Sequence, residues 1–201
     1  TLSPSSAASD VYKRQISYEA LPHPVWGGAV QKLSGKRGKA DSAPRRGWTK
    51  PALALIKEMQ AAGYTHFQLA IGNDGLRLLL DNMSVTANGT TYSSDDVKAG
   101  IQSGNVAYYN AGSKNEWTEA EMDEIFAAAE AAGISIIPLI NTPGHMDAIV
   151  SCMNSLGVSG SNYNGSVRSF DITSSTAQGF VKALLQKYIA YFAGKGCTYF
   201  N

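Results

Sequence analysis

Two short polar clusters in this chain carry side chains that can do chemistry: Asn73-Asp74 with Arg77, and Asn141 with His145 and Asp147. Each follows an apolar run, so each sits where a strand would open into a loop. An aspartate beside a histidine can fix the tautomer and orientation of the imidazole, leaving the other ring nitrogen to address a third group. The same residues have a plainer reading, in which Asp74 caps a turn and His145 is a hydrogen-bonded loop residue. Spacing alone leaves both open. Other chemistries lack their parts: there is no Gly-x-Ser-x-Gly elbow for a Ser-His-Asp nucleophile. Histidines and carboxylates are too sparse at ligand spacing for a metal site. No GxGxxG or P-loop follows a strand, so neither metal nor cofactor is expected.

The elements that must position these clusters read as alternating helices and buried strands. Thr49 as N-cap, a Trp48–Leu53 staple and Pro51 in the first turn open a helix that Gly63 stops. Tyr64–Ile71 then reads as a strand, with His66 at its far end from the cluster. A hairpin is predicted around Asn88-Gly89 and a short helix over 93–105, capped by Ser93 or Ser94. Thr118 and Glu121 form a capping box, with Trp117 and Met122 as its staple, for a helix ending at Gly133. Ile134–Ile140 follows as a continuous apolar strand, although Pro138 cannot donate to a ladder. Residues 151–172, rich in Ser, Asn and Gly, read as a long loop. Ser174 or Ser175 caps a last helix with Phe180, Val181, Leu184, Leu185, Tyr188, Ile189 and Phe192 at helical spacing, and Cys197–Asn201 begins a further strand.

Helix, glycine and strand thus recur three times, which predicts an α/β fold with a parallel sheet, closed into a barrel or lying open. Function in such folds sits at the carboxyl ends of strands. Composition agrees with a globular chain: 201 residues, 44% hydrophobic, 16% charged, formal net charge +1. That charge argues against nucleic acid as the main partner. No apolar run approaches the ~20 residues of a membrane span. Cys152 and Cys197 are too few for a disulfide scaffold.

The stretches YTHFQLAIGNDGLRLLLDNMSVTANGTTY (64–92) and WTEAEMDEIFAAAEAAGISIIPLINTPGHMDAI (117–149) resemble glycoside hydrolase family 20, the β-N-acetylhexosaminidases. They are most similar to its streptococcal-type exo-β-N-acetylglucosaminidases. The resemblance implies a (β/α)8 TIM barrel, of which this chain is roughly the first half. It implies removal of terminal N-acetylhexosamine, N-acetylglucosamine foremost, from a glycan or glycoconjugate partner. In that family the substrate's own acetamido carbonyl attacks the anomeric carbon, an exception to the two-carboxylate scheme. An Asp-Glu pair after the fourth strand orients the acetamide and supplies the acid, and the resemblance places that pair beyond Asn201.

It assigns Asp74 and His145 to an Asp–His pair supporting that glutamate. Arg45 is assigned to a first-strand arginine that holds sugar hydroxyls, with Arg46 as the competing register and Ser42 where relatives carry aspartate. Asn73 and Asn141, at the same strand ends, are candidates to bind substrate. The implied setting is secreted or cell-surface. Residues 1–15 read as an aperiodic, non-native tail, 16–36 as a linker or lead-in, and 37–201 as the incomplete catalytic barrel.

Overall fold

The computed structural model describes residues 15–17, 49–109 and 116–201. At its centre runs strand β2 (His66–Asn73), whose six middle residues are all buried. Burial on both faces is what a parallel strand shows when helices cover the sheet. Strand β1 (Gln15–Ser17) and strand β6 (Ser135–Ile140) flank β2, both parallel to it. Gln15–Ser17 lies in the stretch read as tail and lead-in, and it pairs with His66–Gln68 as a strand. Three residues are too few to carry a period, whereas an open strand edge accepts any extended backbone. Arg45, Arg46, Trp48 and the first strand expected around them lie outside the described residues.

Helix α1 (Thr49–Ala61) buries Ala52, Ile56 and Met59. Thr49 is inside this helix and its buried Oγ1 has no hydrogen-bond partner, so it is not the expected cap. After β2 the chain folds back in a two-residue antiparallel strand, β3 (Gly75–Leu76). The hairpin β4 (Val85–Ala87) and β5 (Thr90–Tyr92) turns through Asn88 and Gly89, both at positive φ, as an Asn-Gly turn requires. Helix α2 (Ser94–Tyr109) is longer than expected and starts where Ser93 Oγ accepts the Asp96 N–H at 3.1 Å.

Helix α3 (Glu119–Ala131) has the expected capping box complete: Thr118 accepts the Glu121 N–H, and the Glu121 side chain accepts the Thr118 N–H. It packs against α1 and leads into β6. There Pro138 sits opposite Leu69 without breaking the strand. The reason is direction. Asn201 N–H donates to the Pro138 carbonyl, so Pro138 faces away from β2, and its missing donor lies on the Asn201 side. Ile140 N–H in turn donates to Asn201, and this is the only part of 197–201 that pairs as a strand among the described residues.

Helix α4 (Asp147–Ser155) corrects the reading of a loop beginning at 151. Met146 at its N-cap offers no side-chain bond, which removed the usual start signal, and the helix is held by burial of Ala148, Ile149, Val150, Cys152 and Met153. Helix α5 (Ser175–Gly194) is capped by Ser174 and buries Phe180, Val181, Leu184, Tyr188 and Phe192. Ile189, at helical spacing with them, is instead exposed. The fully buried Tyr188 donates its hydroxyl to the Leu78 carbonyl at 2.6 Å, tying α5 to the segment after β3. Among the described residues no helix is long and apolar enough to cross a membrane.

Candidate functional site

The two polar clusters meet, and the main chain brings them together. Asp74 is the tip of the β2–β3 reversal, with Asn73 paired to Gly75, and it takes φ 61°. His145, in the loop after β6, takes φ 56°. Asp and His are among the non-glycine residues that tolerate this left-handed region. Asp74 N–H donates to the His145 carbonyl at 2.6 Å, and the Asp74 carbonyl accepts the Ala148 N–H at 2.8 Å. Asn141 N–H continues the β2–β6 ladder onto the Gly72 carbonyl at 2.8 Å. Gly72 is required here because a Cβ would lie 2.8 Å from Ile140 Cγ2.

On that frame the side chains converge. His145 Nδ1 lies 2.9 Å from Asp74 Oδ1, and Asn141 Nδ2 donates to Asn73 Oδ1 at 2.9 Å. The Asp74 side chain is 11% exposed and the His145 side chain 57%, so a buried acid holds an accessible imidazole. A carboxylate acceptor at Nδ1 selects the Nδ1–H tautomer and leaves Nε2 as the basic nitrogen. The pair can orient a third group or exchange a proton with it. Among the described residues no set of three or more His, Cys, Asp or Glu could hold a metal ion. Of the expected site residues, Asp74, His145, Asn73 and Asn141 stand together, while Arg45 lies outside the described residues.

Two further groups belong to the site, and both were missed. Arg168 Nη2 donates to Asp74 Oδ1 at 2.7 Å, and Arg168 Nε lies 3.9 Å from Asp147 Oδ2. The one available signal was that Arg168 is the lone cation in the otherwise uncharged or acidic stretch 151–172. Asn105 was also missed. It accepts the Leu76 N–H and donates to the Leu76 carbonyl and to the buried Glu116, clamping the strand that follows Asp74. Arg77 contributes its backbone to the same region, donating to Ile71 and accepting from Trp117.

Asp147, with a side chain 10% exposed, adjoins Asp74 and faces Arg168. Burial pushes its carboxyl above the usual range, and the adjoining Asp74 pushes it further, against Arg168. A carboxyl raised on folding contributes most when protonated, so that contribution fades as pH rises from the unfolded value through the raised one. Asp147→Asn keeps a donor towards Asp74 at every pH. The variant is therefore expected to gain in Tm relative to wild type as pH goes from 4 to 7. Paired thermal melts check this, and a pH-independent Tm difference would count against the raised carboxyl.

The family model of the glycosyl hydrolase family 20 catalytic domain matches residues 48–197. A solved structure of the pneumococcal virulence factor StrH, studied for N-glycan recognition and hydrolysis, superposes at TM-score 0.71 and 41% identity over 76% of this chain. The tandem catalytic modules of the pneumococcal exo-β-D-N-acetylglucosaminidase StrH give the same TM-score, identity and coverage of this chain. A variant of Streptomyces plicatus β-hexosaminidase bound to GlcNAc superposes at TM-score 0.50 and 19% identity, over 71% of this chain and 27% of that one, and shares the fold. The chain spans 38% and 37% of the two StrH chains.

Proposed function

The chain belongs to glycosyl hydrolase family 20, whose catalytic domain is a (β/α)8 barrel, and from that premise we propose that the whole protein removes terminal, non-reducing β-linked N-acetylglucosamine from glycans. Members of the family are β-hexosaminidases. The observation that carries the reading is the Asp74–His145 contact at the ends of two adjacent parallel strands. An oxocarbenium-like transition state needs a proton on the leaving oxygen and internal stabilisation of the anomeric carbon. In the proposed mechanism the acetamido carbonyl of the substrate supplies the second, and a glutamate supplies the first. His145, fixed by Asp74, holds that glutamate through Nε2. The backbone pairing of Asn201 with Pro138 and Ile140 supports this order, because a strand continuing from Asn201 emerges beside Asn141 and His145. Asn73 and Asn141, hydrogen-bonded to each other at the two strand ends, are assigned to sugar hydroxyls, and Arg45 is assigned a hydroxyl-binding role by the family resemblance.

The acid and its neighbouring aspartate are not among these residues. The polypeptide 1–201 is therefore expected to be inactive on an aryl β-N-acetylglucosaminide that the full-length protein hydrolyses. A chelator should leave the full-length rate unchanged, which separates this mechanism from a metal-dependent barrel hydrolase or deacetylase. No turnover by the full-length protein would leave a carbohydrate-binding module, and turnover by purified 1–201 would overturn the assignment of the acid. We place the protein outside the cell or on its surface, where such glycans are met. Recovery solely from the cytoplasmic fraction of its source would remove that placement.

A further inference from the structure

We propose that Arg168 is a positioning residue for the Asp74–His145 pair: it bridges Asp74 and Asp147, keeps the Asp74 carboxylate ionised as an acceptor, and so holds His145 as the Nδ1–H tautomer. Geometry sets the argument. Asp74 Oδ1 faces two nitrogens, Arg168 Nη2 at 2.7 Å and His145 Nδ1 at 2.9 Å, which are themselves 3.1 Å apart. A guanidinium nitrogen only donates. Arg168 therefore donates to Asp74 Oδ1, and with that oxygen an ionised acceptor His145 Nδ1–H donates to it as well, the 3.1 Å approach being the by-product of sharing it.

The arginine is put there by backbone. Met146 N–H donates to the Arg168 carbonyl at 3.1 Å, and Gly144 and Ser169 form an antiparallel bridge, stitching 168–169 to the loop that carries His145.

What the arginine decides is where a proton goes. The side chains of Asp74 and Asp147 are 11% and 10% exposed and adjoin one another, so the two carboxyls compete for one proton. Two carboxylates in one low-dielectric site cannot both ionise freely. If Asp74 takes the proton on Oδ1, it becomes a donor towards Nδ1 and the imidazole loses its reason to keep Nδ1–H. A cation 2.7 Å from Oδ1 makes that oxygen the poorest place for the proton, and Asp147 retains it. Among the described residues, ionisable groups set against Asp74 include His145 from the loop after β6, Asp147 from the start of α4, and Arg168 from the loop after α4.

The test uses the full-length protein with Arg168→Met, and Arg168→Gln as a second neutral variant should the first not fold. In the kinetic arm, which rests on the hexosaminidase reading, kcat/KM should fall ~10- to 100-fold at pH 5.5 and clearly less at pH 8. Without the cation Asp74 takes its proton at higher pH, so the acid limb moves up. Arg168→Lys, which keeps the charge, should restore most of that limb. A loss equal at every pH, or none, overturns the proposal. In the second arm the ring nitrogens of His145 are followed by 15N NMR, assigned against His145→Asn, which needs no activity. The wild type and Arg168→Lys should show Nδ1–H, and the neutral variants a shift towards Nε2–H. An unchanged tautomer in the neutral variants refutes the role of Arg168 even if the enzyme is active. An inactive wild type with the expected tautomer shift sinks the hexosaminidase reading and leaves Arg168 in place.

Discussion

Replacing His145 with asparagine in the full-length protein is expected to lower kcat about 10- to 100-fold while leaving Tm nearly unchanged. Asparagine tolerates the left-handed φ of 56° at this position, whereas alanine would add strain of about 1 kcal/mol. Its side-chain amide can still donate towards Asp74, so the fold-supporting half of the interaction survives. What it lacks is a second nitrogen able to hold an acid. The loop itself is fixed by main-chain bonds from Asp74 and to Arg168, which the substitution does not touch. Asp74→Asn should act along the same path, and at φ 61° it too is tolerated. The double variant should then be no slower than the poorer single one, the non-additivity of groups that work as a unit. Full turnover in His145→Asn would make His145 a loop residue with no part in the chemistry. Multiplicative losses in the double variant would mean the two residues act separately.

The second large effect lies where α2 crosses α4. Gly104→Ala would normally stabilise a helix by roughly 0.5–1 kcal/mol. Here the added Cβ would lie 2.7 Å from Ala148 Cα and 2.9 Å from its carbonyl oxygen, backbone atoms that cannot rotate aside. Gly100, one turn earlier, meets Cys152 Sγ at 2.8 Å in the same way. The expected outcome is therefore the opposite sign, a loss of about 1–3 kcal/mol, read as a lower urea midpoint and a Tm lower by several degrees. Because α4 begins at Asp147 and Ala148 N–H bonds to Asp74, kcat should fall as well. Gly194→Ala is the control. Nothing lies within 4 Å of its Cβ position at the end of α5, so the ordinary gain should appear. A stabilised Gly104→Ala would mean that the two helices sit farther apart than described.

Local chemistry made much of this fold legible. Thr118 with Glu121, Ser174, and Asn88-Gly89 each announce an element through bonds made within a few residues, and each element starts or turns there. The apolar run ending at Ile140 and the polar clusters after each strand placed Asp74 and His145 at strand ends, and a parallel sheet put those ends side by side. Where no local bond marks an element, the reading failed: α4 has no side-chain cap, and Gln15–Ser17 is three residues long.

By itself the sequence determined an α/β chain of helix–glycine–strand units, the family it belongs to, and an aspartate and a histidine able to meet. Tertiary structure alone decided that Arg168, 94 residues from Asp74, meets the same oxygen as His145, that burial beside Asp74 raises the Asp147 carboxyl, and that Pro138 faces away from β2. The physical reason is range. Caps and turns are settled by neighbours in sequence, but a contact between loops is set by main-chain bonds such as Asp74 N–H to the His145 carbonyl, whose partners no local pattern names.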